Sequence, residues 1–258
     1  MLVVLSPAKS LDLESPVKPR QFSQPEFMAD SKKLVKDLKN LNPEELSELM
    51  NISSKLGALN YERYANWHAP FDTDNARPAL FTFIGDVYKG LQAREFATRD
   101  LNYAQKHLRI LSGLYGILKP LDLIQPYRLE MGTRFANARG KDLYDFWGGK
   151  LTASLNCDLA GEKQKILVNL ASNEYFNAID TNKLEASIVT PTFKDFSNGE
   201  YRFLSFYAKQ ARGMMAAYII RNRLGSVEKL KDFNTDGYRY SAKDSTDTKL
   251  VFLRKKPV

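Results

Sequence analysis

Apolar residues open the chain as a block, LVVL at 2–5, with no polar position among them. A continuous run of this kind predicts a short strand buried on both faces. KILVNLAS at 165–172 has the same pattern, and LRILSG at 108–113 predicts a strand that ends on glycine. Elsewhere the apolar spacing shifts to three and four. Phe27, Leu34, Leu38 and Leu41 predict a helix over 25–40, with Pro25 in its first turn. Asn42, Pro43, Glu44 and Glu45 together form a capped helix start with acids in the first turn. Residues 53–67 predict another helix, interrupted near Gly57. ALFTFIG at 79–85 predicts a strand running into a turn, 96–107 a helix, and 141–159 a helix broken at Gly148 and Gly149.

The pattern changes in the last third. ASIVTPTFKDF and EYRFLSFY predict two strands within 186–207, and Asn198-Gly199 between them is a strong hairpin signal. A helix follows at 208–223, and GYRYSAK and TKLVFLRK predict a terminal hairpin. Strands alternating with helices early, then pairing as hairpins, predict one α+β domain over 1–258. Its sheet is mixed, with flanking helices. The chain shows no linker, internal repeat or low-complexity segment. The least regular stretches are expected at 14–24 and 241–248.

Composition narrows the function classes. With 258 residues, 43% of them hydrophobic, the chain can bury a core without covalent staples. No apolar run approaches the length that spans a bilayer. The first residues read as a strand rather than a signal peptide. Cys157 is the only cysteine, so no disulfide can form within the chain and a cytosolic setting is expected. His68 and His107 are the only histidines, which excludes a Cys/His zinc site or a Cys-ligated iron–sulfur cluster within one chain. An all-carboxylate metal site stays open. The formal net charge of +8 favours polyanionic partners, nucleic acid first, although a merely basic soluble protein carries the same excess.

Candidate chemistry gathers just past predicted strand ends, where side chains line a crevice in open sheets. Ser6 and Lys9 follow the first strand with the spacing of a serine nucleophile and its lysine, or Ser6 merely caps a turn. Asp86 and Tyr88 follow the second. Asn169, Ser172, Glu174 and Tyr175 follow the third. Carboxylates brought from different strand ends serve as acid, base or metal ligand, while helix capping accounts for each taken singly. In 110–132, three glycines and two prolines punctuate an apolar run that ends on Tyr127, Arg128 and Glu130. Fixed turns explain the glycines and prolines but not the Tyr-Arg-Glu cluster, which points to a site.

Between Tyr201 and Val227 there is no acid, while Arg202, Lys209, Arg212, Arg221 and Arg223 are basic. Lys209 and Arg212 share a helix face near Tyr207, an arrangement suited to backbone phosphates or to a solvated surface. Leu56 to Asn60, with Gly57 within it, is a candidate glycine turn between helices that offers free N–H groups to a phosphate. Phosphate-loop, dinucleotide, zinc-protease and α/β-hydrolase motifs are all missing, so no cofactor is expected.

Together, SPAK (6–9), GDVYKGL (85–91), LRILSGLYGILKPLDLIQPYRLEMG (108–132), GKDLYDFWG (140–148), NLASNEY (169–175) and FYAKQARGMM (206–215) resemble the YaaA family of bacterial peroxide-stress proteins, in order and over nearly the whole chain. The resemblance implies a cytoplasmic protein that limits iron-mediated damage under hydrogen peroxide. It also implies an unusual mixed fold and DNA binding through a basic cleft and a helix-hairpin-helix element. Gly57 and Asn60 are the first choice for that hairpin, with Lys209, Arg212, Arg221 and Arg223 as the basic DNA surface. No reaction comes with the resemblance. The alternative is an enzyme acting on nucleic acid or on a small phosphorylated or oxidised metabolite. Its cleft would hold Ser6, Lys9, Asp86, Tyr88, Arg128, Glu130, Asn169, Ser172 and Glu174. An open basic groove would favour DNA binding, and a closed pocket catalysis. Duplex DNA bound without sequence preference is the expected partner, with no metal and no membrane.

Overall fold

The continuous apolar runs become the centre of one sheet. The computed structural model describes residues 1–17 and 21–255. The strands are β1 (Leu2–Leu5), β2 (Ser10–Leu11), β3 (Arg77–Pro78), β4 (Phe83–Ile84), β5 (Leu108–Ser112) and β6 (Gly116–Leu118). They continue as β7 (Leu123–Ile124), β8 (Ile166–Asn169), β9 (Ser187–Ser197), β10 (Glu200–Arg202), β11 (Arg239–Tyr240) and β12 (Lys249–Arg254). The helices are α1 (Met28–Leu38), α2 (Pro43–Met50), α3 (Ser54–Asn66), α4 (Ala79–Thr82) and α5 (Asp86–Leu91). The remainder are α6 (Thr98–His107), α7 (Leu143–Trp147), α8 (Lys150–Ala160), α9 (Asn173–Phe176) and α10 (Ser205–Asn222).

Among the described residues the main sheet runs β11-β12-β9-β8-β1-β5-β6, with β10 also paired to β9. β5, β1, β8, β9 and β12 are mutually parallel, while β6, β10 and β11 are antiparallel additions. The mixed α+β class holds. β1 has β5 and β8 on its two sides, and all of Leu2–Leu5 is buried in the core. That is why it carries no polar alternation. β9 alternates instead, burying Val189, Phe193 and Asp195. Asp195 is held there by Arg254 Nε at 2.6 Å and by the Tyr238 hydroxyl. Unpaired, that carboxylate would be prohibitive to bury.

Several expectations hold in detail. Asn42 and Glu45 form a reciprocal capping box at the start of α2. The break at Gly148 separates α7 from α8, and Asn198-Gly199 turns β9 into β10 with both residues at positive φ. β11 and β12 form the terminal antiparallel pair.

Others need correction. ALFTFIG is a short helix, α4, followed by the two-residue strand β4: Ala79 and Leu80 donate their N–H groups to Asp122 O and Pro120 O, the turn Ala79–Thr82 is buried, and β4 pairs only with β2. EYRFLSFY stops being a strand at Arg202, and helix α10 begins at Ser205. α3 is not interrupted at Gly57. That glycine donates its N–H to Ser53 O at 2.9 Å inside the helix. A Cβ there would lie 1.9 Å from Ser47 Oγ and 2.5 Å from Pro43 O, so glycine lets α2 pack against α3. The turn between those helices is Asn51–Ser53, with Asn51 left-handed. Of the irregular stretches, 241–248 holds a short turn at Ala242–Asp244, and Ser23 bridges to Asp122. Lys18, Pro19 and Arg20 lie outside the described residues.

Candidate functional site

A cleft of about 470 Å³ opens at the carboxyl ends of β1 and β8. From β1 the chain goes to β5 on one side, and from β8 it goes to β9 on the other. Adjacent parallel strands whose continuations diverge leave a crevice between their carboxyl ends. Ser6 and Ser172 span that crevice. Ser6 Oγ accepts the Ser172 backbone N–H at 2.9 Å and donates to Ser172 Oγ at 3.3 Å. The Tyr88 hydroxyl donates to Ser6 O at 3.1 Å, tying α5 to the same point.

One wall comes from α5 and α10, which cross unusually closely. A Cβ on Gly213 would lie 1.8 Å from Val87 O, and one on Gly90 would lie 2.0 Å from Gln210 O. Two glycines permit this approach, and it puts Asp86 in the same cleft lining as Lys209 and Arg212. The opposite wall is the segment after β7. Tyr127 bonds Ser112 Oγ at 2.6 Å, and the Tyr64 hydroxyl donates to the Arg128 carbonyl. These buried anchors hold Arg128 and Glu130 at the cleft. Glu174, on α9, closes the floor by accepting Gly132 N–H at 3.0 Å.

Four cations, Lys9, Arg128, Lys209 and Arg212, thus face three carboxylates, Asp86, Glu130 and Glu174. They are not neutralised pairwise. Lys9 Nζ and Arg128 Nη2 converge on the same Glu130 oxygen at 3.0 and 2.9 Å, and Lys89 approaches Asp86 at 3.8 Å. Lys209 and Arg212 take part in no ion pair among the described residues. Burial pushes the Arg212 guanidinium below the usual arginine range, and no acceptor offsets the shift. Arg128 Nε is buried without a hydrogen-bond partner. Burial also raises the pKa values of Tyr88 and Tyr175, so both phenols stay protonated.

Ten of the sequence candidates therefore meet in one cleft: Ser6, Lys9, Asp86, Tyr88, Arg128, Glu130, Ser172, Glu174, Lys209 and Arg212. Asn169 does not. It is buried under the floor, where its side chain accepts Ala171 N–H at 3.0 Å and shapes the turn after β8. Arg221 and Arg223 lie at the other end of α10, about 18 Å along the axis for twelve residues. Arg221 pairs with Glu95 at 3.0 Å and Arg223 with Asp100 at 2.9 Å. Gly57 and Asn60 sit inside α3, with Asn60 fully buried and bonded to Leu56 O, so the proposed glycine turn is not there. Sequence reasoning does not single out Gly90 or Gly213. Gly213 inside the helical pattern 208–223 is the available signal, and no helix is expected around Gly90.

The family model for the peroxide stress protein YaaA matches residues 1–244. The chain belongs to that family. A UPF0246 protein of Cellvibrio japonicus (strain Ueda107) is 56% identical over 258 residues, covering all of both chains. One from Aliivibrio fischeri (strain ATCC 700601 / ES114) is 52% identical over 254 residues, 98% of each. YaaA membership makes this cleft the feature to explain, because the family blocks SPAK, GDVYKGL, YRLEMG, NLASNEY and FYAKQARG all supply its walls. Among the described residues, no three His, Cys, Asp or Glu side chains cluster in a way that could hold a metal ion. No helix among them is long and apolar enough to cross a membrane.

Proposed function

We propose that this YaaA-family protein serves the peroxide response by binding duplex DNA without sequence preference, limiting iron-driven damage there. The observation that carries the reading is the cationic face of α10 at the cleft. Lys209 is exposed, has no carboxylate partner, and shares a helix face with the exposed ring of Phe206 three residues earlier. Tyr201 and Phe203, just before α10, are also exposed, while Arg202 between them pairs with Glu200. A basic surface with aromatic interleaving suits a nucleic-acid backbone. The turn Asn51–Ser53 joins α2 to α3, and we take it as the hairpin that the family resemblance implies. Fluorescence-anisotropy titration of two unrelated duplexes over a salt series tests the reading. The two affinities should agree within about twofold, and Lys209→Ala should flatten the log–log salt slope by roughly one unit. A strong preference for one duplex, or a slope unchanged in the variant, overturns it.

A second reading, an enzyme, is favoured by the position of the cleft. It lies at the divergence of β1 and β8, with three serines and three carboxylates in its lining. Arg212 is half-buried in the cleft and Arg128 Nε is buried there without a hydrogen-bond partner.

A further inference from the structure

Resting on the reading of this cleft as a ligand site, we infer that its deep part is a pocket for a single nucleotide unit. The unit is one phosphate group with its sugar and an unstacked base. Three features converge on that chemistry. Arg212 is a largely buried cation with no partner among the described residues, and burial alone weakens its hold on its proton. Arg128 Nε is a second buried donor without an acceptor. A phosphate dianion satisfies such donors, and a guanidinium binds it through paired N–H groups. In the same lining, Asp86 and Glu174 only accept hydrogen bonds, so they call for a ligand that also carries donors. Sugar hydroxyls and base N–H groups are such donors, whereas inorganic phosphate at neutral pH offers few. Tyr88, Tyr127 and Tyr175 also line the cleft, and protonated phenols repel neither end of the ligand. The whole cleft, about 470 Å³, is in the range of sites that hold small ligands.

A duplex cannot put a stacked, paired nucleotide into this cleft. The unit arrives either free or extruded from a strand, at an unstacking cost that is least for a mismatched base. Both sources present the same phosphate and the same donors.

The probe is 2′-deoxyguanosine 5′-monophosphate, whose base presents adjacent N–H donors to a carboxylate. Calorimetric titration of the full chain should show saturable 1:1 binding. Inorganic phosphate and deoxyguanosine should each bind at least tenfold more weakly. Arg212→Ala should cost at least tenfold for the nucleotide while leaving nucleoside binding within twofold, and Arg212→Lys should restore part of the loss. Glu174→Gln should weaken nucleotide and nucleoside alike, and a thermal melt of each variant reports whether it is folded. If Arg212→Ala does not fold, Arg212→Lys and Glu174→Gln carry the test. No nucleotide binding, or equal binding of inorganic phosphate, overturns the inference. A duplex with 2-aminopurine at a mismatch separates the two sources. A fluorescence rise on binding assigns the pocket to an extruded nucleotide, and saturable binding of the monophosphate with no rise assigns it to a free one. Failure of the DNA reading looks different, because Lys209→Ala would then leave duplex affinity and its salt slope unchanged while monophosphate binding persists.

Discussion

Asp122 shows what a single buried carboxylate contributes and how to see it. It lies almost fully buried, accepting Ser23 Oγ–H at 2.6 Å and Lys119 N–H at 2.7 Å. Burial outweighs these bonds and pushes its pKa up to about 6. The folded state therefore prefers the protonated form more than the unfolded chain does. Its stabilising contribution is complete below about pH 4 and is lost as pH rises through about 6. Two units correspond to about 3 kcal/mol at most, and the melting midpoint should fall by several degrees over that window from this group. Asp122→Asn keeps the shape and removes the titration. Its midpoint should be flatter between pH 4 and 6 than that of the wild type. Parallel curves for the two proteins would remove Asp122 from the account. Residue identities at the cleft were legible in the sequence for a related reason. Lys9, Asp86, Glu130 and Glu174 are charged groups set directly against apolar runs, where solvation alone gives no reason for them. Arg221 and Arg223 read equally well in sequence as part of the basic stripe. Only the structure brings Glu95 and Asp100, from more than a hundred residues earlier, to neutralise them.

Elements were legible where one local rule decided them. β1 and β8 are continuous apolar runs, the capping box starts α2, and Asn-Gly turns β9 into β10. Reading failed where tertiary packing decided. The apolar ALFTFIG run carries β-forming residues, yet Ala79–Thr82 close a helical turn against the chain near Asp122. Gly57 looks like a helix break but serves the contact of α2 with α3. The α5–α10 crossing is the element-scale feature on which the cleft depends most. Gly213→Ala places a methyl within 1.8 Å of Val87 O, a backbone atom that cannot rotate away. Overpacking of this kind costs about 1–3 kcal/mol, so the melting midpoint should drop by about 3–10 °C. The helices should also part enough to weaken any ligand held between Asp86 and Arg212. A thermal melt checks the first effect, and an unchanged midpoint would mean that α5 and α10 do not meet at these glycines.

On the scale of the whole molecule, the cleft is a product of topology rather than of any one segment. Its walls come from chain positions near 6, 86, 128, 174 and 209, joined only because β1 lies between β5 and β8. No local pattern encodes that order, so the sequence could suggest that these groups meet but not which strands bring them. The position of β1 has a temporal side as well. It is made before both of its partners: β5 is about a hundred residues downstream, with Val3 opposite Leu108, and β8 lies further still, with Leu2 opposite Leu167. During synthesis LVVL is therefore an apolar strand with two open edges and nothing to pair with. Parallel pairing over such distances is slow, and an unpaired apolar edge recruits other chains meanwhile. Refolding from denaturant should lose yield steeply as protein concentration rises through the micromolar range, read by light scattering. A Val4→Lys chain should escape that clumping but never regain the native signal, whereas yields independent of concentration would show that β1 is sheltered early by a neighbour other than its final ones.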